Sequence, residues 1–254
     1  MPAPSLLDKI STFDLLRQEW RFLFYGLLMS FWSSLGQTFF ISLFSHDIRT
    51  SLDLTHGEFG SYYAFATTGS ALTLFWLGKL ADTVGVARLS LMTLGGVCLA
   101  ALNFSFVSSV FSLVLGFYLL RLSGQGMMYH VYSTAVTRRY IATRGRALAL
   151  CGLGMPFGEA AFPLLVILAL SITDWRTIWI ILPIFAFFSF APSIPFLTRR
   201  TLFQDGPGRT AHYSPELPDD TISVRRHIVM RDSAFWAVII WLMMVPSFTI
   251  TGLF

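Results

Sequence analysis

Two charged residues stand deep inside apolar stretches of this chain. Arg121 lies within Val110–Val136 and Glu159 within Ala147–Leu170. At a helical rise of about 1.5 Å per residue, they fall roughly 18 Å and 16 Å from one end of their stretches. A guanidinium binds carboxylate or phosphate through paired hydrogen bonds, so Arg121 is a candidate ligand for an anionic solute. A structural partner, either a protein acid or helix carbonyls, is the other reading. Glu159 is the only acid well inside such a stretch. If the two share a cavity, they form an exchangeable ion pair for which a substrate or a proton competes. If they face different sides, Glu159 is simply protonated. Gln37, which follows Gly36 in an earlier apolar stretch, either lines the same cavity or makes a helix–helix hydrogen bond.

A second group of residues is Gly78-Lys79-Leu80-Ala81-Asp82-Thr83-Val84-Gly85-Val86-Ala87-Arg88, a tight turn between two apolar stretches. Gly78 lets a helix end approach its neighbour, and Gly85 permits a positive φ. The Asp82 carboxylate needs a partner there, a helix N-terminus or a nearby arginine. An ordinary turn with a capping aspartate is the plainer reading. Enzymatic chemistry is not in view. The sequence has no G-x-x-x-x-G-K-[ST] loop, no H-E-x-x-H, no paired-cysteine metal site and no G-x-S-x-G elbow. His46, His56, His130, His212 and His227 lack ligand spacing, so neither a metal nor a cofactor is expected. Cys98 and Cys151 read as small apolar packers.

The elements that hold these residues follow from composition. Of the 254 residues, 54% are hydrophobic and 13% charged. A soluble domain has about 25% charged residues, and a disordered chain has low hydrophobicity and high charge. The chain therefore reads as an integral membrane protein in contact with the lipid bilayer. The net charge of +4 is spread between apolar stretches, which argues against nucleic acid as a partner. Seven stretches are long enough to span a bilayer, which takes about 20 residues. They are Phe22–Phe44, Phe59–Leu77, Leu89–Val107, Val110–Val136, Ala147–Leu170, Thr177–Leu197 and Ser233–Phe254. The third and fourth nearly touch at Ser108–Ser109. None alternates with period two, which excludes a β-barrel reading.

Lys and Arg set the orientation. Lys9, Arg17, Arg21, Lys79, Arg88, Arg138, Arg139, Arg144 and Arg146 fall on one side, together with the six arginines from Arg199 to Arg231. Arg49 and Arg176 alone fall on the other. The N-terminus and the basic connections are therefore expected to be cytoplasmic. Residues 199–232 are polar and rich in Pro, Gly and Asp, which reads as a linker. The domains expected are a six-helix bundle over 1–198, a cytoplasmic central loop over 199–232, and the first helix of an absent or truncated second half over 233–254.

The Gly78–Arg88 turn resembles the signature of the major facilitator superfamily, G-x-L-A-D-x-x-G-x-[RK]-[RK]. Gly78, Leu80, Ala81, Asp82 and Gly85 match, and of the family's basic positions only Arg88 is kept; Thr83, Val86 and Ala87 depart from the pattern. Arg121-Leu122-Ser123-Gly124-Gln125-Gly126 is similar to the family's R-x-x-x-Q/G-G pattern in its fourth helix. Gly152, Gly154, Pro156 and Gly158 are similar to its antiporter motif, with Met155 where a glycine is expected, and read as helix packing. The resemblance implies an all-α membrane fold: a six-helix bundle of this family followed by one more transmembrane helix, seven spans in all. It implies secondary active transport of a small solute by alternating access, as symport or antiport, with no enzymatic activity. Arg121, Glu159, Gln125 and Gln37 are the expected substrate and coupling residues. Gly78, Asp82, Gly85 and Arg88 form the expected cytoplasmic gating motif. The solute expected is an organic anion such as a carboxylate, with a proton as the candidate coupling ion. The location expected is a bacterial inner membrane. A missing C-terminal half, or self-association, would be needed for transport. The competing reading is a truncated, transport-inactive membrane protein that acts only as an assembly partner.

Overall fold

The computed structural model describes residues 12–141 and 143–199, with Asp232, Ser233, Trp236, Ala237 and Trp241 beyond them. All regular structure among the described residues is helical. The elements are α1 (Thr12–Trp32), α2 (Thr38–Ser42), α3 (Ser45–Leu52), α4 (His56–Leu77), α5 (Leu80–Thr83), α6 (Val86–Ser105), α7 (Val110–Leu120), α8 (Tyr129–Arg139), α9 (Arg144–Gly152), α10 (Gly154–Leu170), α11 (Trp175–Phe190) and α12 (Ser193–Thr198). A 3₁₀ turn, Ser33–Gly36, follows α1, and a π-helical segment, Arg121–Met128, joins α7 to α8.

Helix starts are written in side chains. Thr55 and Glu58 form a reciprocal capping box at α4, and Ser109 and Ser112 do the same at α7. Asp174 accepts from the backbone N–H groups of Arg176 and Thr177 at α11. The short Ser108–Ser109 turn expected between the third and fourth spans is therefore present, with Ser109 as the cap.

Four stretches are long and apolar enough to cross a membrane: Val86–Ser105, Val110–Arg139, Arg144–Leu170 and Trp175–Thr198. Leu15–Ser42 with Ser45–Leu52, bent by 63°, is a fifth if the bent pair counts as one span. The first expected span, Phe22–Phe44, is thus not one straight helix. Gln37 is extended, with ψ at 153°, and interrupts it. The second, Phe59–Leu77, lies in α4. That helix has 22 residues, yet it is not among the stretches apolar enough. Tyr62, Tyr63, Thr67, Thr68, Ser70 and Thr73 lower its hydropathy, and several of them face the bundle. The linker 199–232 and the seventh expected span, Ser233–Phe254, lie mostly outside the described residues.

The chain divides into two compact units, residues 1–210 and 211–254. In the first, α6 packs along α11 and α7, α1 runs along α8, α9 and α10, and α4 lies against α7 and the π-helical segment. Lipid tails are as apolar as leucine, so tight packing rather than water exclusion holds such helices together. Gly154 and Gly158 meet α1 and the 3₁₀ turn so closely that a Cβ would strike Leu27 O and Ser34 Oγ. Gly152 has nothing within 4 Å of an added Cβ, so the packing role expected of this motif holds at two of its three glycines. One end of the unit is filled by rings. Trp179 stands 4.8 Å from Phe104 and 5.2 Å from both Phe40 and Phe44, and Phe117 lies 5.4 Å from Phe104. Tilted and edge contacts of this kind suit the ring quadrupoles. Leu164, Leu165, Ile167, Leu168 and Phe188 point outward, where lipid accommodates them. In the second unit, Ser233, Trp236, Ala237 and Trp241 are helical and exposed.

Candidate functional site

The interruption of the first span and the π-helical segment of the fourth touch. A Cβ on Gly36 would lie 2.7 Å from Gln125 N and 2.8 Å from Gly124 Cα. The two backbones meet with no room for a side chain, and only glycine on both sides permits it. The π-helical segment begins at Arg121, and such bulges gather at functional positions. The break places the Gly36 carbonyl and the Thr38 hydroxyl beside that arginine.

Arg121 Nη1 donates to Gly36 O and to Thr38 Oγ1, both at 3.3 Å. Its guanidinium sits 5.5 Å from the centre of the Tyr63 ring, a cation–π contact. The Tyr63 hydroxyl is 2.8 Å from Thr38 Oγ1 and closes the ring of contacts. Arg121 Nε is buried without a partner, and so are Gln125 Oε1, Thr67 Oγ1 and Ser34 Oγ. Buried polar atoms are nearly always bonded, so the two orphans that share the π-helical segment, Arg121 Nε and Gln125 Oε1, make it the candidate place for a polar ligand. Gln37 is buried at 7% exposure in the break itself.

Arg121 and Glu159 are not paired. The two ion pairs among the described residues are Asp82–Arg138 and Glu19–Arg139. Arg121 turns to α2 and α4 instead, and Glu159 is exposed on α10. Equal depth along two consecutive helices did not bring the side chains together, because depth says nothing about the face on which a residue lies.

The turn from α4 to α6 has its own contacts. Asp82 pairs with Arg138, which also donates to Ala81 O at 2.9 Å. The expected arginine partner of Asp82 is therefore found, on α8. His130 Nε2 lies 3.0 Å from Gly78 O and 3.2 Å from a Cβ placed on Gly78, so the approach is close and a larger residue would push the imidazole back by a few tenths of an ångström. Gly85 differs from expectation. Its φ is −60°, and nothing lies within 4 Å of an added Cβ. It caps α6 in an extended conformation that any residue adopts. Arg88 is exposed and makes no hydrogen bond or ion pair among the described residues. Next to Arg138, Arg139 grips Glu19 at 2.7 Å, and the Tyr140 hydroxyl donates to the same carboxylate at 3.1 Å. Burial, then the charge of Glu19, pushes the Tyr140 phenol up, so it remains a donor.

A bundle of bilayer-length helices, a carboxylate turn latched to α8 and an intramembrane arginine beside a broken first helix agree with one family. Residues 26–254 match the sequence model of the Major Facilitator Superfamily. The chain belongs to the major facilitator superfamily. It is therefore a multi-pass integral membrane protein of a transporter family and not an enzyme, and membership implies secondary transport of a small molecule. Searches of curated proteins and of solved structures found no match to the chain. Within this superfamily member, sequence reasoning singled out Arg121, Gln125 and Gln37 but foresaw neither the break beside them nor the contacts of Tyr63, the unbonded Thr67 and the Glu19–Arg139–Tyr140 cluster. A signal existed for Tyr63 and Thr67. Tyr63, Thr67 and Ser70 recur at helical spacing on one face of α4. No pattern announced the π-helical segment, nor the pairing of Glu19 with a residue 120 positions away.

Proposed function

We propose that the chain carries a small organic anion, of the carboxylate class, by alternating access, with Arg121 as the anion's ligand. The observation behind this reading is a half-buried guanidinium with no carboxylate against it and a buried Nε left unbonded. An arginine inside a membrane costs about 2.5–3.5 kcal/mol on insertion scales, and it is retained where it serves a pathway. Neutral carbonyl and hydroxyl oxygens on Nη1 orient the group without neutralising it. The edge formed by Nε and Nη2 remains for a carboxylate, which it accepts through two parallel bonds. Gln125, Gln37 and Thr67 supply further polar contacts around the anion.

In this reading Glu159 carries the coupling proton, separately from Arg121. The turn with Gly78, Asp82, Gly85 and Arg88 serves as the gate on the cytoplasmic side. The basic connections support a cytoplasmic N-terminus, in a reading that places the chain in a bacterial inner membrane with a full layout of seven spans. Transporters built from two bundles bind solute between them near the midplane. A second bundle, in a longer chain or in a second copy, therefore completes the cavity.

The test is uptake by the protein reconstituted in liposomes, from a panel of small carboxylates, with and without an inward proton gradient. Saturable uptake of a carboxylate that Arg121→Ala weakens by roughly tenfold or more at limiting substrate supports the reading. Undiminished uptake in Arg121→Ala overturns it. No uptake, together with no anion-dependent rise in Tm, would instead favour a transport-inactive membrane protein.

A further inference from the structure

The base of α1 carries a feature that the solute site does not use. The helix bends at Glu19, where φ and ψ are −117° and 16°. Beside the bend lies a crevice of about 260 Å³, lined by Arg17, Glu19, Trp20, Arg21, Arg139 and Phe196 among others. The one carboxylate among its described lining residues is already committed. Glu19 accepts from Arg139 Nη2 at 2.7 Å, from Arg139 Nε at 3.1 Å and from the Tyr140 hydroxyl at 3.1 Å. Arg17 and Arg21 form no hydrogen bond or ion pair among the described residues. The Arg21 guanidinium lies over two rings, 4.7 Å from the centre of Phe196 and 5.7 Å from that of Trp20. Among the described residues, three guanidiniums against one carboxylate leave the crevice cationic.

Its surroundings are apolar and exposed. Phe13, Trp20 and Phe24 are 71%, 49% and 44% exposed on the same part of α1. Aromatic side chains mixed with arginine at the end of a membrane-crossing segment are the composition of a membrane–water interface. We propose that this crevice holds the phosphodiester of an anionic phospholipid, with Arg17 and Arg21 as its ligands and Trp20 and Phe196 as its walls. Guanidinium forks match phosphate oxygens, and the exposed rings of Phe13, Trp20 and Phe24 give the acyl chains a surface that inorganic phosphate cannot use. The excess of positive charge selects an anionic headgroup over a zwitterionic one, because a choline ammonium would face Arg17 and Arg21.

The experiment uses the full chain purified in detergent. Its Tm is followed against added phosphatidylglycerol, phosphatidylcholine or inorganic phosphate, and native mass spectrometry counts the retained lipid. The expected result is stabilisation by phosphatidylglycerol at lower concentration than by phosphatidylcholine, with no effect of inorganic phosphate. Arg17→Gln and Arg21→Gln should each raise the phosphatidylglycerol midpoint by roughly fivefold. Arg144→Gln, an exposed arginine outside the crevice, should leave it unchanged. Arg17 is exposed and unbonded, so Arg17→Gln alone carries the test if Arg21→Gln misfolds. Equal stabilisation by the two lipids, an equal effect of inorganic phosphate, or an unchanged midpoint in Arg17→Gln overturns the proposal.

Discussion

Arg121 is distinguished by what it does not touch. Its bonds go to a carbonyl and a hydroxyl, each at 3.3 Å, and a tyrosine ring lies against it. Charge-assisted hydrogen bonds contribute about 1.5–3 kcal/mol, and each 1.4 kcal/mol is about tenfold in affinity. Arg121→Ala should therefore weaken anion uptake by roughly ten- to a hundredfold at limiting substrate. Arg121→Lys keeps the charge but loses the planar fork, and should recover only part of it. Initial uptake rates across a range of carboxylate concentrations check both. Glu159→Gln should leave anion binding intact and remove the dependence of uptake on a proton gradient. Unaltered proton dependence would dissociate Glu159 from coupling. Arg121 was legible as a candidate site residue because an arginine in an apolar stretch is rare and costly. Its partners were not, since Thr38 and Tyr63 are ordinary residues until the break in the first span places them beside it.

At the scale of elements, most of the fold could be read from hydropathy, caps and glycines, and the failures have local causes. The spans from Leu89 to Leu197 correspond to α6 through α12. The first span is broken rather than straight because Gln37 adopts an extended backbone inside an apolar run, which residue type alone does not announce. The contact that exploits this break predicts a sharp contrast. Gly36→Val would drive a side chain into the Gln125 amide and Gly124 Cα, 2.7 and 2.8 Å from the Cβ position, and should abolish folded protein. Gly152→Ala, with nothing within 4 Å, should leave Tm unchanged or slightly raised. Size-exclusion profiles and thermal melts distinguish the two. The start of α11 is sensitive to pH. The Thr177 hydroxyl, with the backbone N–H groups of Thr177 and Arg176, holds the Asp174 carboxyl below its ordinary 3.8. A lowered carboxyl stabilises the folded form fully above its unfolded value. That contribution is lost as the pH falls through the lowered folded value. Hydrogen-exchange protection at Arg176 and Thr177 should therefore fall in acid, and Asp174→Asn should show much less of that loss.

Over the whole molecule, adjacent arginines at the end of α8 tie two distant parts of the chain. Arg138 holds the turn after α4, and Arg139 holds α1. The Asp82–Arg138 pair has both side chains more than half exposed, at 60% and 54%. Exposed pairs contribute about 0–1 kcal/mol, so Asp82→Asn should shift Tm by no more than about 4 °C. If the turn acts as a gate, the same variant should still slow uptake, and a slowing that tracks Tm instead would argue for a purely structural role. The pairing of Asp82 with an arginine was legible from the need of an interfacial carboxylate for a partner; the identity of that arginine required the fold. The two thiols have a practical consequence. Cys98 and Cys151 are the only cysteines, both free and buried, with their sulfurs turned to the carbonyls of Pro183 and Leu23. The natural chain is thus a quiet background for maleimide labelling. A single new cysteine at Thr50 or at Arg144 would report, in intact cells, which end of the bundle meets the outside.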